Sequence, residues 1–268
     1  MKSLKMILLS LGGFFLVVYM LLVAFLYFEQ DSMIFHPSKL KADYEFNYTG
    51  AVEEITITAS DGIKLNGLLF KSEESKGLVF YLHGNGGCLD SWGDIAPTYT
   101  DLGYDIFILD YRGYGKSGGT IETEEQFLND VKLAYAEMVK RYDESKIIIA
   151  GYSIGTGSAA MLASLNHPKA LILKAPYYSL TDIIESRVPF MPSFLQKYKF
   201  ETYKYLENVT APVYIFHGTA DRVIPYSNTI KLMEHINNKA QLTTLEGTEH
   251  LIDGNNNTYK EKLKTILN

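Results

Sequence analysis

The chain has 268 residues, 47% of them hydrophobic, enough for one domain of about 240 residues with a sizeable core plus a smaller segment. Its formal net charge is −6 and it has no basic run, which argues against nucleic acid as a partner. The single cysteine, Cys88, excludes an internal disulfide, and His83, His217 and His250 stand far apart beside glycines, so no metal or other cofactor is expected.

The N-terminus differs from everything after it. Met6 to Phe28 is a run of 23 residues without a charge, about 35 Å long as a helix, which covers a bilayer core. A secretory signal has a shorter apolar region and a small-residue cleavage site. This run instead closes with Phe25-Leu26-Tyr27-Phe28, an aromatic belt, so residues 1–28 read as a retained single-pass membrane anchor. Lys2 and Lys5 precede the span and Lys39 and Lys41 follow at greater distance. That balance leans toward a large domain on the non-cytoplasmic side.

Residues 29–50 are expected to form a juxtamembrane connector, with Pro37 blocking a continuous helix and Met33-Ile34-Phe35 packed on the domain. From Val52 the pattern turns to strand: Ile55 and Ile57 alternate with threonines, Asp61-Gly62 makes a turn, and Leu65 to Phe70 returns. Strands are then expected at Leu78 to Leu82, Ile106 to Leu109, Ile147 onward, Ala170 to Leu173, Val213 to Phe216 and Gln241 to Leu245. Between them fall helices near Ser91 to Thr100, Thr123 to Arg141 and Ser227 to Ile236, with a last one near Tyr259 to Leu267. Thr123 with Gln126 fits a capping box, and Phe127, Val131, Ala134 and Met138 form an apolar stripe. Such alternation implies a mostly parallel, eight-stranded sheet with helices on both faces, and sites in such sheets form at the carboxyl ends of the strands.

Tyr177 to Asn208 departs from the alternation. It carries Pro189 and Pro192 and many exposed-looking aromatics: Tyr177, Tyr178, Phe190, Phe194, Tyr198 and Phe200. It reads as a short lid over a site, the alternative being a helical excursion that only packs on the core.

The run Ile147-Ile148-Ile149-Ala150 leads into Gly151-Tyr152-Ser153-Ile154-Gly155, a G-x-S-x-G pattern, followed by small residues suited to a helix. With 21 glycines in the chain the pattern alone is weak, but the strand before it and the helix after it make it a nucleophile elbow. A serine hydroxyl needs a base, and the base needs an orienting acid. Asp221, in the loop after Val213 to Phe216, is the candidate acid, against a plain turn aspartate. His250, in the loop after Gln241 to Leu245, is the candidate base. Asp182 and Asp253 are alternative acids. His217 is the rival base, although it ends a strand and is better placed to support the Asp221 loop. Oxyanion donors are expected from the backbone N–H of Ile154 and, in the loop His83-Gly84-Asn85-Gly86-Gly87, from the N–H of Asn85 or its neighbour Gly84.

His83–Gly87 (HGNGG), residues 110–119 (DYRGYGKSGG), residues 151–157 (GYSIGTG), residues 217–226 (HGTADRVIPY) and residues 247–250 (GTEH) together resemble the alpha/beta-hydrolase superfamily. More narrowly they are similar to its small membrane-anchored serine hydrolases, related to serine aminopeptidase-like and acyl-thioesterase members. Met33-Ile34-Phe35-His36-Pro37 is also similar to that subgroup. The resemblance covers roughly residues 50–268 and implies an alpha/beta-hydrolase domain over residues 51–268, within which the lid read above falls at about 177–208, and a Ser153–His250–Asp221 triad. The substrate does not carry over from it, since members act on esters, thioesters, amides and peptides; a small-molecule acyl substrate is expected. An ester or thioester with an apolar chain is expected, from the aromatic lid and the membrane; a peptidase acting on amides is the alternative. A tethered binding domain without catalysis is the alternative of a different class, against which the intact Ser153, Asp221 and His250 speak. Asn47, Asn208 and Asn256 begin glycan acceptor sequences, used only if the domain faces a secretory lumen.

Overall fold

A computed structural model of the chain describes residues 2–236, 240–252 and 256–268. Its main sheet has eight strands: β1 (Val52–Thr58), β2 (Lys64–Phe70), β3 (Leu78–Leu82), β4 (Asp105–Leu109), β5 (Ile147–Tyr152), β6 (Ala170–Lys174), β7 (Val213–Gly218) and β8 (Ala240–Leu245). The spatial order is β8-β7-β6-β5-β3-β4-β2-β1. β2 runs antiparallel to both β1 and β4, and every other pairing is parallel. The crossing of order between β3 and β4 puts β3 beside β5, with Leu82 opposite Gly151 and Tyr152 opposite Lys174 of β6. The loops that follow β3 and β5 therefore leave the sheet side by side.

Period-two alternation divides the central strands between two cores. Phe80, Phe107, Ile149 and Leu171 point to one face, while Val79, Ile106, Ile148 and Ile172 point to the other. On the first face lie α2 (Glu124–Val139) and α3 (Gly155–Leu165), presenting Phe127, Val131, Ala159 and Leu162. On the second lies the C-terminal helix (Asn257–Leu267), with Tyr259 and Leu263. Thr123 caps α2 by accepting from the N–H of Gln126 at 3.1 Å. The Gln126 amide oxygen accepts from the Glu122 N–H, one residue before the position of the usual capping box. Between β3 and β4 the chain forms not one helix but three short turns, Leu89–Trp92, Gly93–Ile95 and Pro97–Thr100. Pro97 has no N–H for a continuous ladder, and the Tyr48 hydroxyl donates to the carbonyls of Leu89 at 2.6 Å and Asp90 at 2.7 Å.

The N-terminal helix, α1, runs from Lys2 to Ile34 and is long and apolar enough to cross a membrane by length and composition. It continues six residues past Phe28 because Gln30 and Asp31 dock on the domain, while Glu29 and Ser32 face outward and bond each other. One stripe at helical spacing does the docking: Val23, Leu26 and Gln30 are buried, and Tyr19 donates to the carbonyl of Phe190 at 3.0 Å. The Gln30 amide spans from the Leu195 carbonyl (3.0 Å) to the Lys197 N–H (2.9 Å), and Asp31 takes the Lys197 ammonium and the Tyr198 hydroxyl. After α1, His36–Pro37 pairs in parallel with Gly86–Gly87, so this segment is stitched to the loop after β3.

Of the aromatics in residues 177–208, Tyr177, Tyr198 and Phe200 are buried and not exposed, because they join the core beneath α4 (Leu180–Arg187) and α5 (Thr202–Leu206). Phe190 and Phe194 do face outward.

A nearly buried guanidinium ties the opening hairpin to the first helical layer. Arg112 donates to Asp130 of α2 at 2.8 and 2.9 Å and to Asp61 of the β1–β2 turn at 2.6 Å. Removing it leaves the Asp130 carboxylate almost enclosed without a cation. Arg112→Ala should destabilise the domain by about 3 kcal/mol, read as a lower urea midpoint by the fluorescence of Trp92. A change below about 0.5 kcal/mol would mean the network contributes no more than exposed pairs do.

Candidate active site

Ser153 sits at φ +52°, a left-handed conformation that a serine adopts only when its surroundings impose it. The imposition is steric. A Cβ on Gly151 would lie 2.6 Å from the Gly155 carbonyl oxygen, and one on Gly155 would lie 2.3 Å from that of Leu82. With no side chains there, β5 turns into α3 within a few residues, and the Ser153 N–H is held by the Lys174 carbonyl at 2.9 Å. The hydroxyl is thereby lifted off the sheet into a cleft.

Three side chains distant in sequence meet in that cleft. The Ser153 Oγ lies 3.0 Å from Nε2 of His250, whose Nδ1 lies 2.7 Å from Oδ2 of Asp221. A neutral imidazole with its proton on Nδ1 satisfies both contacts, donating to the carboxylate and accepting from the hydroxyl. Asp221 follows β7 and His250 follows β8, at the same carboxyl edge as the elbow.

The Asp221 carboxylate is fully enclosed and still stays ionised. Burial pushes its pKa up, but the imidazoles of His217 and His250 and the Ile224 N–H more than offset this and hold it well below the usual carboxylate range. Its Oδ1 accepts from the N–H groups of Val223 and Ile224, each at 2.8 Å. His217 Nε2 lies 3.1 Å from Oδ2, and its Nδ1 is 2.7 Å from the Thr229 hydroxyl. His217 thus braces the acid and does not approach Ser153. Asp182, the alternative acid, pairs with Lys231 at 2.7 Å on α4, and Asp253 lies outside the described residues.

The backbone N–H groups of Ile154 and Asn85 donate to no group among the described residues, and both residues line the same cavity as Ser153. The Asn85 loop is clamped from several sides. Tyr114 donates to the Asn85 carbonyl (2.8 Å), Tyr111 to that of His83 (2.8 Å), and the Trp92 indole to that of Gly86 (2.7 Å). The His36 N–H bonds the Asn85 side chain at 3.3 Å.

Several supporting residues carry no sequence signal of their own. The Tyr152 hydroxyl donates to the His250 carbonyl at 2.9 Å and fixes that loop over the elbow. Beneath it lies Lys174, fully buried, its ammonium about 5 Å from the ring centres of Tyr81, Tyr152 and Tyr259. Burial pulls the Lys174 pKa down to about 7.

The cavity above Ser153 holds about 620 Å³ and is mostly apolar. Its walls come from α4 and the segment after it (Ile183, Ile184, Met191) and, unexpectedly, from the end of α1 (Leu26, Met33, Ile34). Among the described lining residues there is no carboxylate, and Arg187 is the one permanently charged side chain. No three His, Cys, Asp or Glu side chains among the described residues come together as a metal set.

Residues 73–204 match the family described as serine aminopeptidase, S33. The human alpha/beta hydrolase domain-containing protein 17B is 30% identical over 239 residues, covering 85% of this chain and 80% of its own length. An uncharacterized protein of Mycobacterium tuberculosis is 26% identical over 243 residues, 87% of this chain and 85% of that one. Among solved structures, the Pyrococcus furiosus esterase Pf2001 superposes with a TM-score of 0.69 at 19% identity, over 87% of this chain and 97% of that one. Est1E from Butyrivibrio proteoclasticus, with ferulic acid bound, gives 0.65 at 23% identity, over 80% and 98%. With the fold shared with these esterases and the human relative matched along most of both chains, the chain belongs to the alpha/beta-hydrolase superfamily.

Proposed function

We propose that the chain is a membrane-tethered serine hydrolase that cleaves a carboxylic ester or thioester bearing an apolar acyl chain, through an acyl-enzyme. The observation that carries this reading is the unbroken contact series from the Ser153 Oγ through His250 to Asp221, at 3.0 and 2.7 Å, at the floor of an apolar cavity.

His250 Nε2 takes the hydroxyl proton as Ser153 Oγ attacks the acyl carbon. The imidazolium so formed is stabilised by the Asp221 carboxylate, which keeps its negative charge throughout. The carbonyl oxygen becomes an oxyanion that receives the N–H groups of Ile154 and Asn85. Collapse expels the alcohol or thiol, protonated by His250, and leaves the acyl group on Ser153. Water, deprotonated by the same imidazole, then reverses these steps and frees the acid.

The match of residues 73–204 to the serine aminopeptidase family makes an aminopeptidase the second reading. Holding a peptide's terminal ammonium calls for an acidic group near the nucleophile, and the described cavity lining offers none. Apolar walls fit an acyl chain instead. For the tether, Lys2 and Lys5 before the apolar span support a cytoplasmic N-terminus and a non-cytoplasmic domain. Protease added to sealed vesicles of known orientation reads that sidedness by whether the domain is digested.

Ser153→Ala should abolish labelling by a fluorophosphonate probe and lower kcat on p-nitrophenyl esters by about a millionfold or to background. Across esters of graded length, thioesters and aminoacyl amides, kcat/KM should rise with acyl length and be lowest for amides. Unchanged labelling of Ser153→Ala would remove the serine mechanism, and a preference for aminoacyl amides would replace the substrate class.

Asp221→Asn should lower kcat at neutral pH by about three to four orders of magnitude while the fold persists. The sign of the pH effect follows from the depressed folded pKa. The stability from Asp221 is complete above its ordinary value of 3.8 and is lost as pH falls below it. Urea titrations of Asp221→Asn should therefore show a flatter decline of stability below about pH 4 than wild type. A kcat within about tenfold of wild type would take Asp221 out of the mechanism.

A further inference from the structure

The apolar run of α1 is claimed twice. Counted from Met6 it spans a bilayer core with Phe28 at the far end, yet from Tyr19 onward its inner face is already packed on the domain. Only Met6 to Val18 is free of the domain, about 20 Å of helix against a hydrocarbon core of about 30 Å. The missing third must be supplied by the part of α1 that carries the lid, and any tilt of the helix widens the shortfall.

The lid is built for that depth. From Phe190, bonded at the level of Tyr19, the chain climbs along α1 to Leu195 and Lys197, bonded at the level of Gln30. Lys197 lies over the Tyr27 ring at 5.4 Å and pairs with Asp31 at 3.0 Å, a set of groups suited to the headgroup layer. Phe190 is then about 12 Å deeper, eight helical rises below Tyr27. Two large apolar side chains face outward at that end, Phe190 at 46% exposed and Phe194 at 79%, with Ser193 exposed between them; the exposed Glu185 and Arg187 stand on the preceding turn of α4, where Arg187 donates to the Val223 carbonyl at 2.6 Å. At the mouth of the cavity Val223 is 47% exposed and Leu251 68%, next to His250.

We infer that the lid tip is immersed in the phospholipid leaflet and that the cavity over Ser153 opens toward its hydrocarbon, so that acyl-bearing lipids reach the site laterally from the membrane and not from water. Leu26, Met33 and Ile34 of α1 form one wall of this route and the inner face of α4 the other. The chemistry rests on the hydrolase reading above, whereas the immersed surface does not.

The test uses the full chain reconstituted in phosphatidylcholine vesicles, with and without phosphatidylcholine brominated along its acyl chains. The indole introduced by Phe190→Trp, and separately by Phe194→Trp, should be quenched by the bromolipid and shielded from aqueous iodide, after subtraction of the Trp92 signal. In parallel, Phe190→Asp combined with Phe194→Asp should lower hydrolysis of a long-chain ester held in the vesicles by about tenfold while leaving a soluble short-chain ester unaffected. Quenching by iodide and not by bromolipid overturns the inference even if the enzyme hydrolyses esters. Bromolipid quenching in a protein that cleaves no ester would uphold the immersed lid and sink the hydrolase reading instead. Equal loss on both esters in the double variant would mean damage to the fold, and the quenching result then decides alone.

Discussion

The site depends on how closely two pieces of backbone approach at the end of β5. Gly151 and Gly155 face the backbone of Gly155 and Leu82 at distances that no side chain can occupy, and this contact forces Ser153 into its left-handed conformation. The parallel register carries the consequence outward. Because Gly151 pairs with Leu82, the loop after β3 emerges beside the elbow, and its Asn85 N–H comes to share a cavity with Ser153. A wider turn would lower the hydroxyl toward the sheet and part it from His250. The elbow is a local strain that the packed sheet on either side can hold.

The second organising feature is the N-terminal segment, which acts less as an appendage than as a strut. His36–Pro37 adds a short parallel pairing to Gly86–Gly87, and the His36 N–H reaches the Asn85 side chain. Phe35 stacks against Phe127 and meets Tyr198 edge-on, binding the end of α1 to the core under the lid. Tyr111 and Tyr114, from the loop after β4, hold the same Asn85 loop from the other side. A glycine-rich loop that would otherwise be mobile is thus fixed by groups from three separate parts of the chain.

Most of the architecture is legible in the sequence because it rests on local periodicity. The buried strands are short apolar runs, α2 shows its stripe and its Thr123 cap, and the turn at Asp61-Gly62 is written in its residues. Ser153, Asp221 and His250 are legible because each follows a strand in a recognisable context, and the structure brings these three side chains into contact. What is not legible depends on distance in space. Nothing near Tyr152 announces that its hydroxyl will steady a loop 98 residues later, and nothing in α1 announces that its last turns will line a cavity. The break of the helix near Ser91 follows from Pro97 and from the approach of the Tyr48 hydroxyl to the Leu89 and Asp90 carbonyls. The proline is visible in sequence and the approach is not. Tyr177, Tyr198 and Phe200 read as exposed because an irregular segment gives no period from which to infer an inner face.

The stripe of Tyr19, Val23, Leu26 and Gln30 also bears on how the domain can be handled in isolation. Trimming the whole apolar helix to gain a soluble protein would remove four wall residues of the cavity, Gln30 among them, and unfasten the lid from Gln30 and Asp31. What remained would keep its sheet, its elbow and its proton-transfer groups, yet it would describe the specificity of a different, wider container. A cut before Tyr19 spares the fastening, although it leaves a greasy stub that detergent has to shield.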